Sequence, residues 1–423
     1  MSIAGRESRR ARVLQVAYAC GPGRGSEPGA GWHRAVEAAR SFDVWVLCEG
    51  REFAGPIRRH LEAHGPIPGL EFAFVFKRGY EECLQCVPGL YYFVYNLWQR
   101  RAFREAMRLH GQVGFDLVHQ VNLSGYREPG YLGKLDAPLV WGPVGGTQNY
   151  PWRFLPEAGP LGAVAEALRN VVNGLQLRLS WRVGNAARKA AAVLASSSTN
   201  RRDLGRALGI EALVLSDVGI EEIFGREAVV DAKDPGRPPS LRVLWCGELS
   251  PRKALSLLIK ALARLPNDVP YELRVVGDGR LRSRWQRLAR RTGVATHTEM
   301  LGKLPRPEVL DQYRWADVFV FTSLRDTTGT VVLEALASGL PVICLDHQGA
   351  HDFVTEQCGI KIPLSTPGQV VGDLRDAIVA LARDPDRRRE FSAGAVARAE
   401  EYLWSRNGER LAAIYRQVLA RPR

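Results

Sequence analysis

The chain has 423 residues, of which 46% are hydrophobic. A chain of this size exceeds what one hydrophobic core usually covers, which predicts two domains and excludes general disorder. Its net charge of +13, from 58 Lys and Arg against 45 Asp and Glu, favours anionic partners such as nucleotide phosphates, anionic lipid or nucleic acid, and selects none of them. The seven scattered cysteines exclude a small disulfide framework.

Targeting and metal signals are weak throughout. No run approaches the roughly eighteen apolar residues of a membrane-spanning helix, and the N-terminal run lacks a signal-peptide pattern. We therefore expect a cytoplasmic protein, with a peripheral place at the inner membrane face as the alternative. Cys83 and Cys86 form a lone Cys-x-x-Cys without the second ligand pair that zinc sites use, so no metal is predicted.

The first half predicts one α/β domain. An apolar run over 13–19 precedes a glycine-rich loop from Gly21 to Gly31, a helix over 32–40 and a second apolar run over 44–47. The order strand, loop, helix, strand indicates a parallel sheet. Further buried strands are predicted at 70–76, 117–121, 139–141 and 193–196.

The second half repeats this architecture after a segment rich in Asp, Lys, Gly and Pro. Strands are predicted at 241–246, 273–276, 318–321 and 342–345, and helices at 254–264, 282–292 and 331–338. We therefore predict domains at 1–223 and 241–400, a linker at 224–240, and a last helix over 401–423 that packs towards the first domain. In such sheets ligands bind at the carboxyl ends of strands, and a cleft between the domains is the predicted active site.

A long motif extends from Phe321 to Val342. It resembles the donor-site signature of the family-four retaining glycosyltransferases, members of glycosyl transferases group 1, which adopt the GT-B fold of two Rossmann-like domains facing across a cleft. The resemblance continues, in the order and approximate spacing of the family, at 247–253, 275–279 and 301–304. It is weaker in the first half, at 25–32, 116–119 and 141–146.

This resemblance implies a retaining, metal-independent hexosyltransferase of polysaccharide or glycoconjugate biosynthesis. The sugar would move from a UDP- or GDP-sugar, a co-substrate in place of a cofactor, to a glycan, lipid-linked or small-molecule acceptor. The leaving phosphate would help to deprotonate the acceptor, so that positioning and electrostatics carry the catalysis. Donor, acceptor, linkage and oligomeric state stay open.

Two acids dominate the signature. The family pattern is a glutamate, seven residues and a second glutamate, and here the positions are Asp326 and Glu334. By resemblance, Asp326 accepts hydrogen bonds from hydroxyls of the donor sugar and Glu334 from those of the ribose. The alternative is that they cap a turn and offset a helix dipole. Thr328, Gly329 and Thr330 precede the predicted helix, where free N–H groups would hold donor phosphate.

The candidate phosphate-binding cations, Arg252 and Lys253, lie in an earlier loop. By resemblance, Lys253 contacts the pyrophosphate with Arg252 as a helper, which compensates the charge on the leaving diphosphate; the alternative is a solvated basic pair. Glu248 stands where the family often has an arginine, which would remove a phosphate contact unless Arg252 supplies it. The resemblance also places nucleotide contacts at Gly277, Gly302 and Lys303.

The first half supplies weaker candidates. Gly29 and Gly31 would allow close backbone approach to donor phosphate, and the absence of a full Gly-x-Gly-x-x-Gly argues against an oxidoreductase. His119 would steady the charge at the anomeric carbon as a neutral imidazole, or is a structural histidine whose ring bonds a neighbour. Asn122 and Arg127 would contact the acceptor.

Basic and aromatic stretches occur at 91–104 and, with Trp181, at 175–188. Either would suit an anionic membrane, or they are ordinary helices whose arginines face solvent. Two other functions stay open: a nucleotide-sugar epimerase of the same fold, and a non-enzymatic anion or nucleic-acid binder. No recognised nucleic-acid module is present, so nucleic acid is not an expected partner.

Overall fold

The computed structural model describes residues 9–87, 89–225 and 240–422. The chain forms two compact units, one of Met1–Thr147, Gly174–Val218 and Trp404–Arg423, the other of Gln148–Asn173 and Gly219–Leu403. The segment 148–173, expected in the first domain, thus belongs to the second unit, because Tyr150, Phe154 and Ala158 are buried in its core. Residues 226–239 of the expected linker lie outside the described residues.

Both units are built on parallel sheets. The first has the strand order β3-β2-β1-β4-β5-β6-β7 and the second β10-β9-β8-β11-β12-β13. The strands of the first are β1 (Arg12–Ala17), β2 (Asp43–Glu49), β3 (Leu70–Val75), β4 (Leu117–Asn122), β5 (Leu139–Val144), β6 (Ala192–Ala195) and β7 (Leu213–Val214). Those of the second are β8 (Leu241–Cys246), β9 (Tyr271–Val276), β10 (Thr298–Gly302), β11 (Val318–Phe321), β12 (Val342–Leu345) and β13 (Gly359–Ile362). The prediction of two Rossmann-like α/β units is confirmed.

Helices connect the strands, as parallel pairing requires. In chain order they are α1 (Ser26–Ala39), α2 (Gly50–His64), α3 (Gly79–Gln85), α4 (Tyr91–Val113), α5 (Gly159–Leu179), α6 (Trp181–Lys189), α7 (Ser198–Leu208), α8 (Leu255–Leu262), α9 (Arg282–Arg291), α10 (Arg306–Trp315), α11 (Thr330–Ala337), α12 (Gln348–Phe353), α13 (Pro367–Arg383), α14 (Pro385–Glu400) and α15 (Trp404–Leu419). Within the described ranges, no helix combines the length and apolar composition needed to cross a membrane.

The glycine-rich loop is shorter than predicted. Helix α1 begins at Ser26, whereas the sequence predicted a loop as far as Gly31. Glu27 favours the positive end of the helix dipole, and Pro28 is tolerated in a first turn because its missing N–H needs no partner there. Gly29 and Gly31 are therefore buried helical residues. A Cβ on Gly29 would lie 2.0 Å from the Arg24 carbonyl oxygen, so this glycine serves close packing.

Candidate functional site

Two loops leave the second sheet where its strand order reverses, between β8 and β11. Such a reversal is where open parallel sheets bind ligands, beyond the carboxyl ends of the strands. The loop after β8 ends in a 3₁₀ turn, Pro251–Lys253, and the loop after β11 leads to α11. Thr322 Oγ1 donates to the Lys253 carbonyl at 2.9 Å and the Leu324 N–H to that of Arg252 at 2.7 Å. The two loops are thereby held side by side.

A cation and a carboxylate of the predicted set meet in these loops. The Lys253 ammonium contacts the Asp326 carboxylate and lies 5.0 Å from the centre of the Phe321 ring. Only 9% of the Lys253 side chain is exposed, so its charge acts in a partly desolvated place. Arg252 lies 3.7 Å from Asp326 and donates to Glu248 at 3.1 Å. Glu248 therefore partly balances the helper cation.

Gln348, at the start of α12, was missed from the sequence. Its Oε1 accepts the Asp326 N–H at 2.6 Å, and its Nε2 donates to the Asn149 carbonyl at 3.0 Å. Because Gln348 is buried, these bonds hold the Asp326 loop in place. Gln348 follows β12, the neighbour of β11, so the carboxyl-edge rule was the available signal; no motif marks it.

Gly329 is the residue immediately before α11. Its φ is 79°, in the region that favours glycine, and no side chain caps the helix. The neighbouring Thr328 is buried, whereas Thr330 is half-buried. An uncapped helix N-terminus has free N–H groups and a positive dipole end, which is the arrangement an anion requires.

Glu334 lies one turn further along α11. Its Oε2 accepts from the Tyr313 hydroxyl at 3.1 Å, and Arg306 Nη1 is 3.8 Å from Oε1. Burial raises the pKa of Glu334, an effect that Arg306 and the Tyr313 hydrogen bond oppose. Glu334 is thus a largely desolvated hydrogen-bond acceptor.

The glycines predicted beside the nucleotide lie at the same edge of the second sheet. The Gly277 N–H donates to the Gly302 carbonyl at 2.7 Å. A Cβ on Gly277, whose φ is 124°, would stand 2.0 Å from the Gly247 carbonyl oxygen. The loops after β8, β9 and β10 therefore pack backbone to backbone, with Lys303 exposed beyond them.

His119 lies in the core of the first unit. Its Nε2–H donates to the Gly142 carbonyl at 2.7 Å, and its Nδ1 accepts from the Tyr415 hydroxyl, which itself accepts from Gln15 at 3.0 Å. Burial and the nearby Arg34 charge lower the pKa of His119 to about 3, although the Gly142 hydrogen bond opposes them. The imidazole is neutral with both nitrogens bonded, as the structural alternative requires.

The other first-unit candidates stay predictions. Arg127 Nε donates to Gln176 Oε1 at 2.8 Å, and its guanidinium lies 4.9 Å from the Tyr126 ring centre. Asn122 ends β4, but its side chain lies outside the described residues. Among the described residues, no group of three His, Cys, Asp or Glu side chains is arranged to hold a metal.

Residues 232–397 match the model of the family described as glycosyl transferases group 1. Within those residues the chain is similar to a group 1 glycosyltransferase domain. It is 35% identical over 191 residues to a D-inositol 3-phosphate glycosyltransferase of Kribbella flavida, a match covering 43% of this chain and 44% of that relative. A GDP-mannose-dependent phosphatidylinositol monomannoside mannosyltransferase of Corynebacterium glutamicum is 34% identical over 41% of this chain and 46% of its own length. The chain thus spans less than half of these relatives.

Solved structures extend the likeness beyond residues 232–397 to nearly the whole chain. HepE of Anabaena, in complex with UDP, has a TM-score of 0.63 at 19% identity over 96% of this chain and 100% of its own. Sucrose-phosphate synthase of Thermosynechococcus elongatus has a TM-score of 0.67 at 17% identity over 97% and 100%. At these identities the likeness concerns the fold, and the predicted GT-B fold class is confirmed.

Proposed function

We propose that the chain is a retaining, metal-independent glycosyltransferase that moves a hexose-type sugar from a nucleotide-diphosphate sugar to an acceptor hydroxyl. The observation that carries the proposal is the pairing of Lys253 with Asp326 at the switch point of the second sheet. A donor sugar joins hydroxyl groups to a phosphate through one anomeric bond. A carboxylate for the hydroxyls beside a cation for the phosphate matches that junction.

The remaining contacts follow from the order of groups along a nucleotide sugar. The N–H groups at Thr328, Gly329 and Thr330 would receive phosphate oxygens, and Glu334 would accept from the ribose hydroxyls. Gly277, Gly302 and Lys303 would border the base. Lys253 contacts Asp326, so donor binding would exchange this ion pair for contacts to the phosphate and the sugar.

The chemical step is the break of the bond between the anomeric carbon and the diphosphate oxygen. The electron pair stays on that oxygen, and Lys253 and the α11 N-terminus stabilise the growing charge. The acceptor oxygen attacks the same face of the sugar, and its proton passes to the departing diphosphate. Configuration is then retained, and no enzyme nucleophile is consumed.

The nucleotide is UDP or GDP. One relative is named as GDP-mannose-dependent, whereas HepE was solved with UDP and with UDP-glucose. The acceptors in the relatives' names, inositol 3-phosphate and a phosphatidylinositol mannoside, suit a glycan, lipid-linked or small-molecule acceptor here.

A thermal-shift panel of UDP- and GDP-sugars tests the proposal, since a ligand that binds the folded state raises apparent stability. One donor should raise the melting temperature of wild type and shift Asp326→Ala much less. Arg291→Ala, which removes an exposed cation at the end of α9, is the matched control and should shift like wild type. If no donor shifts wild type, or none releases nucleoside diphosphate on addition of acceptor, the proposal fails.

A further inference from the structure

Helix α5 has an unusual outward face. Leu161, Val164, Leu168, Val171 and Val172, called here the α5 stripe, all lie on one side of the helix and are 39% to 88% exposed. Leu175 and Leu179, also exposed, continue the same spacing of three and four residues. A surface helix ordinarily turns such a stripe inwards.

The inward face of α5 is polar instead. Asn170 accepts the Tyr150 N–H at 2.9 Å and donates to the Tyr150 carbonyl at 2.7 Å. Glu166 makes two contacts of 3.0 Å with Arg325. Both Asn170 and Glu166 are buried. These polar contacts fix the part of α5 that belongs to the second unit, which includes residues 159–173. The outward apolar residues of that part are therefore not needed for its attachment.

The surroundings of the stripe are cationic. Between residues 158 and 189, Glu166 is the single acid, and it is paired with Arg325. The same stretch contains Arg169, Arg178, Arg182, Arg188 and Lys189. Arg178 is exposed on the last turn of α5, and Trp181, which follows the helix, is 72% exposed. Arg182 is paired with Glu128, whereas Arg188 and Lys189 are exposed like Arg178. Apolar residues, an exposed tryptophan and exposed cations are the elements of an interfacial helix.

We propose that the α5 stripe docks in the interfacial layer of an anionic lipid bilayer, with the helix parallel to the membrane plane. The stripe follows the 3.6-residue period of a straight helix and is wider than the seam of a coiled coil. Pairing with a second copy would bring two cationic faces together, whereas anionic headgroups complement them. This inference does not depend on the transferase activity.

Vesicle flotation of the full chain tests the docking. Wild type should float with vesicles of equal parts phosphatidylglycerol and phosphatidylcholine and much less with phosphatidylcholine alone. The double variant Leu161→Gln/Leu168→Gln should lose more than about tenfold in binding, since two apolar side chains no longer leave water. Its melting temperature should stay that of wild type because both residues are exposed. Met107→Gln, an equally polar change at an exposed site on α4, is the control and should bind like wild type.

Two further measurements separate the membrane from a second copy. Arg178→Gln/Arg188→Gln should weaken binding to the anionic vesicles and flatten its salt dependence. Sedimentation velocity without lipid should give the same mass for wild type and for Leu161→Gln/Leu168→Gln. A wild-type dimer that this variant dissociates would overturn the proposal in favour of a self-association surface. Absence of wild-type flotation, or equal flotation of the variant, would also overturn it.

Discussion

Glu334 combines burial with a single role as a hydrogen-bond acceptor. Because burial raises its pKa, the carboxylate takes up a proton at higher pH than an ordinary glutamate. Donor affinity, measured by calorimetry, should therefore weaken as pH falls through that raised pKa, and recover above it. Glu334→Gln should bind donor more weakly at neutral pH, by about 1–3 kcal/mol, and should lose this pH dependence. Glu308→Gln, exposed on α10, serves as the control. An identical pH profile in Glu334→Gln and wild type would remove the ribose role.

Lys253 should act more on turnover than on donor affinity. The charge on the diphosphate grows as the anomeric bond breaks, so a cation beside it stabilises the transition state more than the bound donor. We expect Lys253→Ala to lower kcat by roughly 10²–10³, with a smaller change in the Kd of the donor. Calorimetry and steady-state kinetics together measure this split. Equal kcat values in variant and wild type would contradict the role.

His119 should make the free energy of unfolding depend on pH. Its pKa is about 3 in the folded protein, whereas an ordinary histidine has a pKa of 6.5. Between these values the unfolded chain holds a proton that the folded chain lacks. The free energy of unfolding should therefore fall as pH decreases from 6.5 towards 3, by about 1.4 kcal/mol per pH unit from this group. His119→Gln should be less stable at neutral pH. Its free energy of unfolding, measured by chemical denaturation at several pH values, should depend less steeply on pH. An unchanged slope would mean that another group titrates.

At the scale of elements, the close contact between α12 and the loop before α11 determines the position of that loop. A Cβ on Gly349 would lie 2.3 Å from the Cα of Thr328, so Gly349→Ala must displace the loop that leads to Gly329. We expect a loss of about 1–3 kcal/mol in stability and a weaker thermal shift with donor. Gly372→Ala on α13, where nothing lies within 4 Å, is the matched control and should be neutral or slightly stabilising. Full donor binding by Gly349→Ala would show that the loop tolerates displacement.

In the second unit, β11 and β12 were predictable because they are continuous apolar runs, and β8 because only Arg242 interrupts its apolar residues. The bounds of β8, β11 and β12 are those expected from the sequence. By contrast, β10 contains Glu299 and is largely half-exposed, and β13 has only four residues, so neither gives an apolar run. The start of α1 was missed because three glycines within eight residues resemble a loop, although close packing requires the one at Gly29.

The site was predictable where local sequence determines it. Asp326, Gly329 and Glu334 belong to one strand, loop and helix, so a single motif that resembles the family signature contained all three. Gln348 and its bond to Asp326 depend on the neighbouring strand, which spacing alone does not reveal. Helix α5 is a second feature that the sequence alone does not determine. The spacing of its apolar residues predicts an apolar stripe, but the direction in which that stripe faces depends on the partners of Glu166 and Asn170.

At the scale of the whole molecule, we expect catalysis without a bound metal. Lys253, Arg252 and the N-terminus of α11 supply positive charge where metal-dependent transferases place an ion. Product formation should therefore survive excess chelator. Glu248, bonded to Arg252, is the acid that would recruit an ion. Loss of activity that magnesium or manganese restores would contradict the expectation, and Glu248→Gln would then show whether this acid is responsible.

The first unit is assembled from three separate stretches of chain, the last being Trp404–Arg423. During synthesis the sheet of the first unit is complete once β7 has emerged from the ribosome. Tyr415, which bonds His119 and Gln15, has not yet been translated at that time. At about 5–20 residues per second, the roughly 200 residues between β7 and Tyr415 take roughly 10–40 s. For that interval a nascent chain would present a sheet with an uncovered core and buried polar groups lacking their partner. Ribosome-bound chaperones are therefore expected to engage the first half of this protein until the last helix arrives.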